Sequence, residues 1–422
     1  MTPTQQHAAL ASADCPVAFD NLTRQLYATD ASHYQIEPLA VAFPRNAHEA
    51  SAIIIAAAEA GVSVIPRGAG TSLTGSAIGE GVVVDFSRHN RHIHEFNPER
   101  GTVRVGPGVV LDQLNAFLKR EGLCFGPDVA TSSRATLGGM IANNSSGAHV
   151  PVYGTTADHV SELEILLRDG TVAKIGPQHD TLPHQRELME NMAMFNALHI
   201  QERFPPGLLK RWPGYALERA IREPRNLIHV LAGSEGTLAA IVSAELKLVP
   251  IPRKKALGLI FFASVAEAMQ ATTELLDLQP AAIEHLDRIL MDQARGQLEF
   301  LAARELMELD AHPCESVLAV EFFEDAEDKL AELEKRNLGT RKRMLRTPAE
   351  KPLLEPPQVR PLAAHQPQGP RKARHLHRGH GGAPEGFARV SRRAGENPVA
   401  PRHQGVVLRA RRIWFAARPS GA

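Results

Sequence analysis

The chain alternates short apolar runs with polar turns and has few long periodic segments. Asn46 to Ala60 repeats Ala and Ile at helical spacing and stops at Gly61, which predicts an amphipathic helix. Val62 to Ile65 is a short β run that leads into the glycine-rich stretch Arg67 to Gly75. Val82 to Asp85 and Thr102 to Val105 read as strands, the second closed by Gly106-Pro107-Gly108. Val110 to Glu121 reads as a helix with Leu111, Leu114, Phe117 and Leu118 on one face. Val160 to Arg168 alternates like a strand, turns at Asp169-Gly170 and returns through Thr171 to Ile175.

The rhythm changes from Lys255. A strand at Leu257 to Phe262, a helix at Val265 to Leu278 and a strand at Ala282 to Leu286 are followed by a strand at Val317 to Phe322 and a helix at Glu324 to Leu333. This alternation predicts a ferredoxin-like layer of helices on a second sheet. Pro250 and Pro252 mark the boundary. The expected organisation is α+β: an N-terminal segment at 1–35, a first domain at 36–250, a partial second domain at 251–351, and a tail at 352–422.

Composition narrows the class. Hydrophobic residues make up 43% and charged residues 22% of 422 residues, the balance of a soluble globular protein with two or three cores. No apolar run is long enough to span a membrane, and the N-terminus has no basic-then-apolar signal pattern. Cys15, Cys124 and Cys314 form no CxxC spacing, so neither structural disulfides nor an in-chain iron–sulfur cluster is expected. The expected location is the cytoplasm, with docking to the inner face of a membrane as the alternative. The zero net charge hides an asymmetry: the tail 352–422 holds 12 Arg and 1 Lys against 3 Glu, and the remainder holds 34 basic and 44 acidic residues. The acidic body has no electrostatic reason to bind nucleic acid.

Arg67-Gly-Ala-Gly-Thr-Ser-Leu-Thr-Gly75 has the chemistry of a diphosphate loop. Gly68, Gly70 and Gly75 let backbone N–H groups converge on phosphate oxygens, Thr71, Ser72 and Thr74 add hydroxyl donors, and Arg67 adds charge. A glycine-rich surface turn would look the same in isolation. The stretch lacks G-x-G-x-x-G spacing, because position 73 is Leu, which argues against a nicotinamide-type Rossmann site.

Two further segments join it: Gly126 to Met140, running on through Asn143 to Gly147, and Gly233-Ser-Glu-Gly-Thr-Leu238, ending in Ile241. Their combination and order resemble the PCMH-type FAD-binding domain shared by vanillyl-alcohol oxidases, D-lactate dehydrogenases, the glycolate oxidase flavin subunit and D-2-hydroxyglutarate dehydrogenases. The resemblance covers roughly residues 36–350. It implies a two-subdomain FAD-binding fold followed by an incomplete ferredoxin-like α+β substrate domain. It also implies that Arg67, Gly68, Ala69, Gly70, Thr71 and Ser72 cradle the FAD diphosphate while Gly75 closes the turn. Pro127, Asp128, Thr131, Gly138 and Gly139 would line the cofactor, and Asn143, Ser146 and Gly147 would approach the flavin ring. Glu235, Gly236 and Ile241 would flank the adenine end or the ring. The loop carries no His or Cys for covalent attachment, so dissociable FAD is expected.

Other residues have bland alternatives. His89, His92 and His94 sit among Arg88, Asn90 and Arg91, which suggests an exposed polar turn, and Cys124 reads as a packed thiol. Tyr153-Gly154 and the segment Trp212 to Leu217 could be structural or could line the active site.

After Lys351 the hydrophobic periodicity is lost, and ten of the 30 prolines and five of the 19 histidines fall in the last 71 residues. A disordered basic tail and a metal site at His375, His377 and His380 are two readings. A third fits better: the tail is out of frame. Back-translated and read one base later with synonymous codons chosen freely, Glu355 to Gly369 can spell NLRKSGLSLLTSRK, His375 to Pro384 TCIEDTAVR, and Leu408 to Pro419 YGHAASGLLHVR. The shifted segments would supply the histidines and cations that the family resemblance places around substrate. As written, the chain should end inside its substrate domain, and the second sheet should lack its last strands and expose apolar edges.

The resemblance implies oxidation of a D-2-hydroxy acid of the D-lactate, glycolate or D-2-hydroxyglutarate type by hydride transfer to flavin N5, with electrons passing to a quinone, another flavoprotein or an iron–sulfur partner. No catalytic residue is assigned and no resident metal is expected. The rival readings are a truncated, non-catalytic FAD-binding fragment and a flavin oxidase of another alcohol.

Overall fold

A computed structural model describes residues 1–177, 179–204, 214–223 and 225–346. Three larger sheets organise them, beside a two-stranded pair of Leu123–Cys124 with Val249–Pro250. The first has the strand order Val17–Ala18, Ala40–Ala42, Val82–Asp85, Val64–Arg67, and its last three strands run parallel. Val82, Val83 and Val84 are fully buried, as expected of a parallel strand covered on both faces. The helix Ala47–Glu59 is started by Asn46, whose side chain accepts from the Glu49 N–H at 2.9 Å, and ends at Gly61 in the left-handed region. The strand expected from Val62 starts two residues later, at Val64.

The second sheet holds six antiparallel strands in the order His179–Asp180, Val172–Gly176, Val160–Leu166, Ala240–Lys247, Thr102–Val105, Ile93–Asn97. The helix Leu111–Leu118 buries Leu111, Leu114 and Leu118 against it. Phe117 departs from the expected face. It is 47% exposed, because one residue of helix turns it about 100° from Leu118, and its ring meets Phe96 edge-on at 5.6 Å.

The chain crosses to the third sheet after Pro250. The order is Ala282–Asp287, Ser316–Phe323, Lys255–Phe262, Arg341–Leu345, all antiparallel, which is the ferredoxin-like arrangement. Helices Val265–Glu274 and Ala326–Lys335 cover one face. Shorter helices, Arg288–Gln293 and Leu301–Leu306, cover the other, so Lys255–Phe262 reads as a continuous apolar run.

One expectation is corrected. The third sheet does not end in an apolar edge, because Arg341–Leu345 forms its fourth strand and carries Arg341, Lys342 and Arg343. Arg341 pairs with Glu308 at 2.7 Å and lies 3.8 Å over the Phe261 ring, so charge and ring stacking guard this edge. Among the described residues no helix is long and apolar enough to cross a membrane.

Candidate cofactor site

The three sequence segments meet at the C-terminal end of Val64–Arg67, where a parallel sheet opens to ligands. Gly68 lies so close to Thr136 that a Cβ would overlap its hydroxyl, and Gly139 is the next neighbour. Gly138 donates its N–H to the Pro107 carbonyl at 2.8 Å. Among the described residues, the N–H groups of Gly68, Ala69, Gly70, Thr71, Ser72 and Leu73 meet no protein acceptor. Ser72 Oγ instead accepts from the N–H groups of Thr74 and Ser76, each at 3.2 Å, and holds the turn. Gly75 packs against the Tyr34 ring. A loop with this many unspent backbone donors fits a diphosphate.

Arg67 is spent elsewhere. Its guanidinium donates to the carbonyls of Ala77 at 2.8 Å, Thr29 at 2.9 Å and Tyr27 at 3.4 Å, and lies 5.1 Å over the Tyr27 ring. Burial holds its pKa below the ordinary arginine value, against the pull of Asp85 and Asp30. The geometry makes Arg67 a brace between the loop and the N-terminal segment, and its donors point at carbonyls of the chain.

Glu235 ties the third segment to the other two. Its carboxylate accepts from Asn143 Nδ2 at 3.0 Å and from Ser76 Oγ at 3.1 Å. Its N–H reaches the Ala142 carbonyl at 2.8 Å, and Gly236 packs on Pro66. Glu235 sits at φ +52°, a region unfavourable for a side-chain-bearing residue and often retained at functional sites. Ile241 pairs with Ile165 in the second sheet and packs into its core. Pro127 and Ser146 are buried, and Thr131 stands on an exposed turn whose carbonyl accepts from Arg134 and Ala135.

The residue that sequence reasoning missed is His149. It follows Gly147 by two positions, in a loop already singled out, but its partner lies 172 residues away. Nδ1 is 3.0 Å from Asp128 Oδ2, and Nε2 is 2.7 Å from Glu321 Oε2 on the third sheet. The side chain is 9% exposed and its ring stacks on Phe323 at 4.9 Å, with Tyr153 at 6.1 Å. Burial pulls the imidazole pKa down, but the bonds to Asp128 and Glu321 outweigh it and raise the pKa to about 9. His149 is therefore an imidazolium at neutral pH, with both nitrogens occupied as donors.

His89, His92 and His94 are exposed, and among the described residues no cluster of His, Cys, Asp and Glu could hold a metal ion. Cys124 is half-buried, and burial raises its thiol pKa. Gly154 abuts Asp158, and Tyr215 bonds Thr237 at 2.7 Å, beside the third segment. Trp212, Pro213 and the tail, including its histidine cluster and shifted frame, lie outside the described residues.

Comparison with known proteins agrees with this geometry. The family described as FAD binding domain matches residues 38–176, and the FAD linked oxidases, C-terminal domain, matches 251–354. D-2-hydroxyglutarate dehydrogenase of Pantoea ananatis is 34% identical over 331 residues, 73% of this chain and 32% of that protein. Glycolate oxidase subunit GlcD of Bacillus subtilis is 32% identical, covering 72% of this chain and 58% of that protein. D-lactate dehydrogenase of Archaeoglobus fulgidus is 31% identical, covering 60% and 48%. The chain spans about a third of the length of the D-2-hydroxyglutarate dehydrogenases it matches. Among solved structures, alkyldihydroxyacetonephosphate synthase shares the fold with a TM-score of 0.57 at 17% identity, over 78% of this chain and 60% of that one. The chain thus carries an FAD binding domain at residues 38–176 followed by the C-terminal domain of FAD linked oxidases at 251–354.

Proposed function

We propose that the protein oxidises a D-2-hydroxy acid of the D-2-hydroxyglutarate, D-lactate or glycolate type. The observation that carries this reading is the meeting of three cofactor segments at a loop of unspent N–H donors, in a chain whose relatives bear those substrate names. Bound FAD would supply the two-electron acceptor for the hydride on the α-carbon. The chain's own share is to bind and orient. Loop 68–73 offers donors to the diphosphate, and the bridge from Glu235 to Asn143 and Ser76 fixes the three segments relative to one another.

His149 does not serve as the base that takes the hydroxyl proton, because its imidazolium already donates from both nitrogens. We place that base, and the cations that clamp the substrate carboxylate, in the shifted frame beyond Lys351. The electrons then leave to a quinone, a flavoprotein or an iron–sulfur partner. Three free cysteines support a reducing, cytoplasmic setting.

The occupied state of His149 also favours a second reading, an FAD-binding chain without turnover. Anaerobic titration separates the two. D-2-hydroxyglutarate, D-lactate or glycolate should bleach the flavin while simple alcohols do not. Bleaching by alcohols alone would reject the 2-hydroxy acid reading, and no bleaching by any of them would favour the non-catalytic chain. Resequencing codons 345–422 then tells whether the frame is restored.

A further inference from the structure

We propose that His149 is a positioning residue: an electrostatic latch that holds the third sheet against the cofactor segment through a buried carboxylate–imidazolium–carboxylate bridge. The bridge joins elements distant in sequence. Asp128 belongs to the second cofactor segment, and Glu321 lies on Ser316–Phe323, a central strand of the third sheet. Phe323, from the same strand, stacks on the imidazole at an interplanar angle of 27°. One side chain thus receives a charge partner and a ring from the sheet, and a second charge partner from the cofactor segment.

The latch depends on the proton. A neutral imidazole has one N–H, so deprotonation would set a nitrogen lone pair against a carboxylate in a site that excludes most water. With the cation gone, Asp128 and Glu321 would retain two like charges flanking one uncharged ring, and separation of the sheet from the loop would relieve that repulsion. Two other ionisable groups lie at the junction. Lys255 lies 5.0 Å over the far ring, Phe323. Tyr153, from the short helix Val150–Tyr153, is kept protonated by burial first and then by Cys124, Asp128, Glu321 and Glu324.

The sign of the pH effect follows. The folded-state pKa of His149 lies above its ordinary value of 6.5, so the latch contributes fully below that value and is lost as pH rises through about 9. The test is hydrogen exchange of the full-length protein, read at Ser316–Phe323 and at 145–149, in wild type and His149→Gln from pH 6 to 10. At pH 7 the variant should exchange on the order of 10- to 100-fold faster in these segments. The gap should close as pH passes about 9. A gap that is absent at pH 7, or constant across the whole range, overturns the latch, because loss of packing alone carries no pH dependence. Should His149→Gln fail to fold, Glu321→Gln is read in the same way and carries the same two outcomes. The readout needs no substrate, so it stands or falls separately from the 2-hydroxy acid reading.

Discussion

Gly147 sits directly against Asp128: a Cβ at position 147 would overlap both the carbonyl oxygen and the carboxylate of Asp128. The same carboxylate bonds His149 two residues further on, through the backbone N–H at 3.4 Å and the ring at 3.0 Å. The stretch 145–149 is therefore folded around one aspartate, and the glycine is the space that lets it close.

Gly147→Ala should disturb this fold at once. The added methyl meets the Asp128 backbone carbonyl on one side and, on the other, a carboxylate that bonds His149 through both its N–H and its ring, so the carboxylate cannot yield without losing a bond. A loss of about 1–3 kcal/mol is expected for such overpacking. Denaturant midpoints of the FAD-free protein should fall, and FAD should be lost on gel filtration. An unchanged midpoint would mean that the loop reshapes freely.

Arg67 separates bracing from phosphate binding. Three carbonyls and the Tyr27 ring take up its guanidinium, so Arg67→Lys keeps the charge but loses the fork that spans Ala77 and Thr29. The prediction is a drop in thermal midpoint without FAD, accompanied by weaker FAD binding. A residue acting only as a phosphate cation would leave the FAD-free protein unchanged, and fluorescence titration with a thermal melt distinguishes the two.

The bridge at Glu235 makes a charge-sensitive prediction. Asn143→Asp turns a 3.0 Å donor–acceptor contact into two facing carboxylates, whereas Glu235→Gln keeps the shape and removes the charge. Asn143→Asp should weaken FAD binding about tenfold or more, equal to ~1.4 kcal/mol, and Glu235→Gln should cost less. The reverse order would show that Glu235 touches the cofactor directly and does not merely fix the segments.

What the sequence disclosed follows from how far apart the partners lie. Val82–Asp85 and Thr102–Val105 were readable to the residue because β-branched runs and flanking glycines are local signals. The ferredoxin-like order was readable because its strands and helices alternate cleanly. The second helical layer over the third sheet was not, since Arg288–Gln293 and Leu301–Leu306 span only six residues each and show too few turns for a helical period. The motif suggests Arg67 as a phosphate cation, but Arg67 closes the strand Val64–Arg67 and its direction is set by carbonyls at Tyr27 and Thr29 that no motif marks. His149 stayed hidden for the same reason: its meaning depends on Glu321, and a pair formed across two sheets leaves no spacing to read.

The cysteines bear on how FAD is held. Burial is the first cause of the raised pKa at all three: Cys15 rises to about 12, with Glu49 adding to the effect, and Cys124 and Cys314 are also raised. A thiolate is the nucleophile, and at pH 8 about one Cys15 in 10,000 would be ionised. Native protein should therefore react slowly with iodoacetamide at pH 8, and all three sites should label quickly once the chain is unfolded. The same inertness argues against a cysteinyl–flavin bond, and the loop at 67–75 offers no histidine. Acid precipitation of the yellow protein should leave the flavin in the supernatant and a colourless pellet, whereas flavin in the pellet with a matching mass increase on a tryptic peptide would establish covalent attachment.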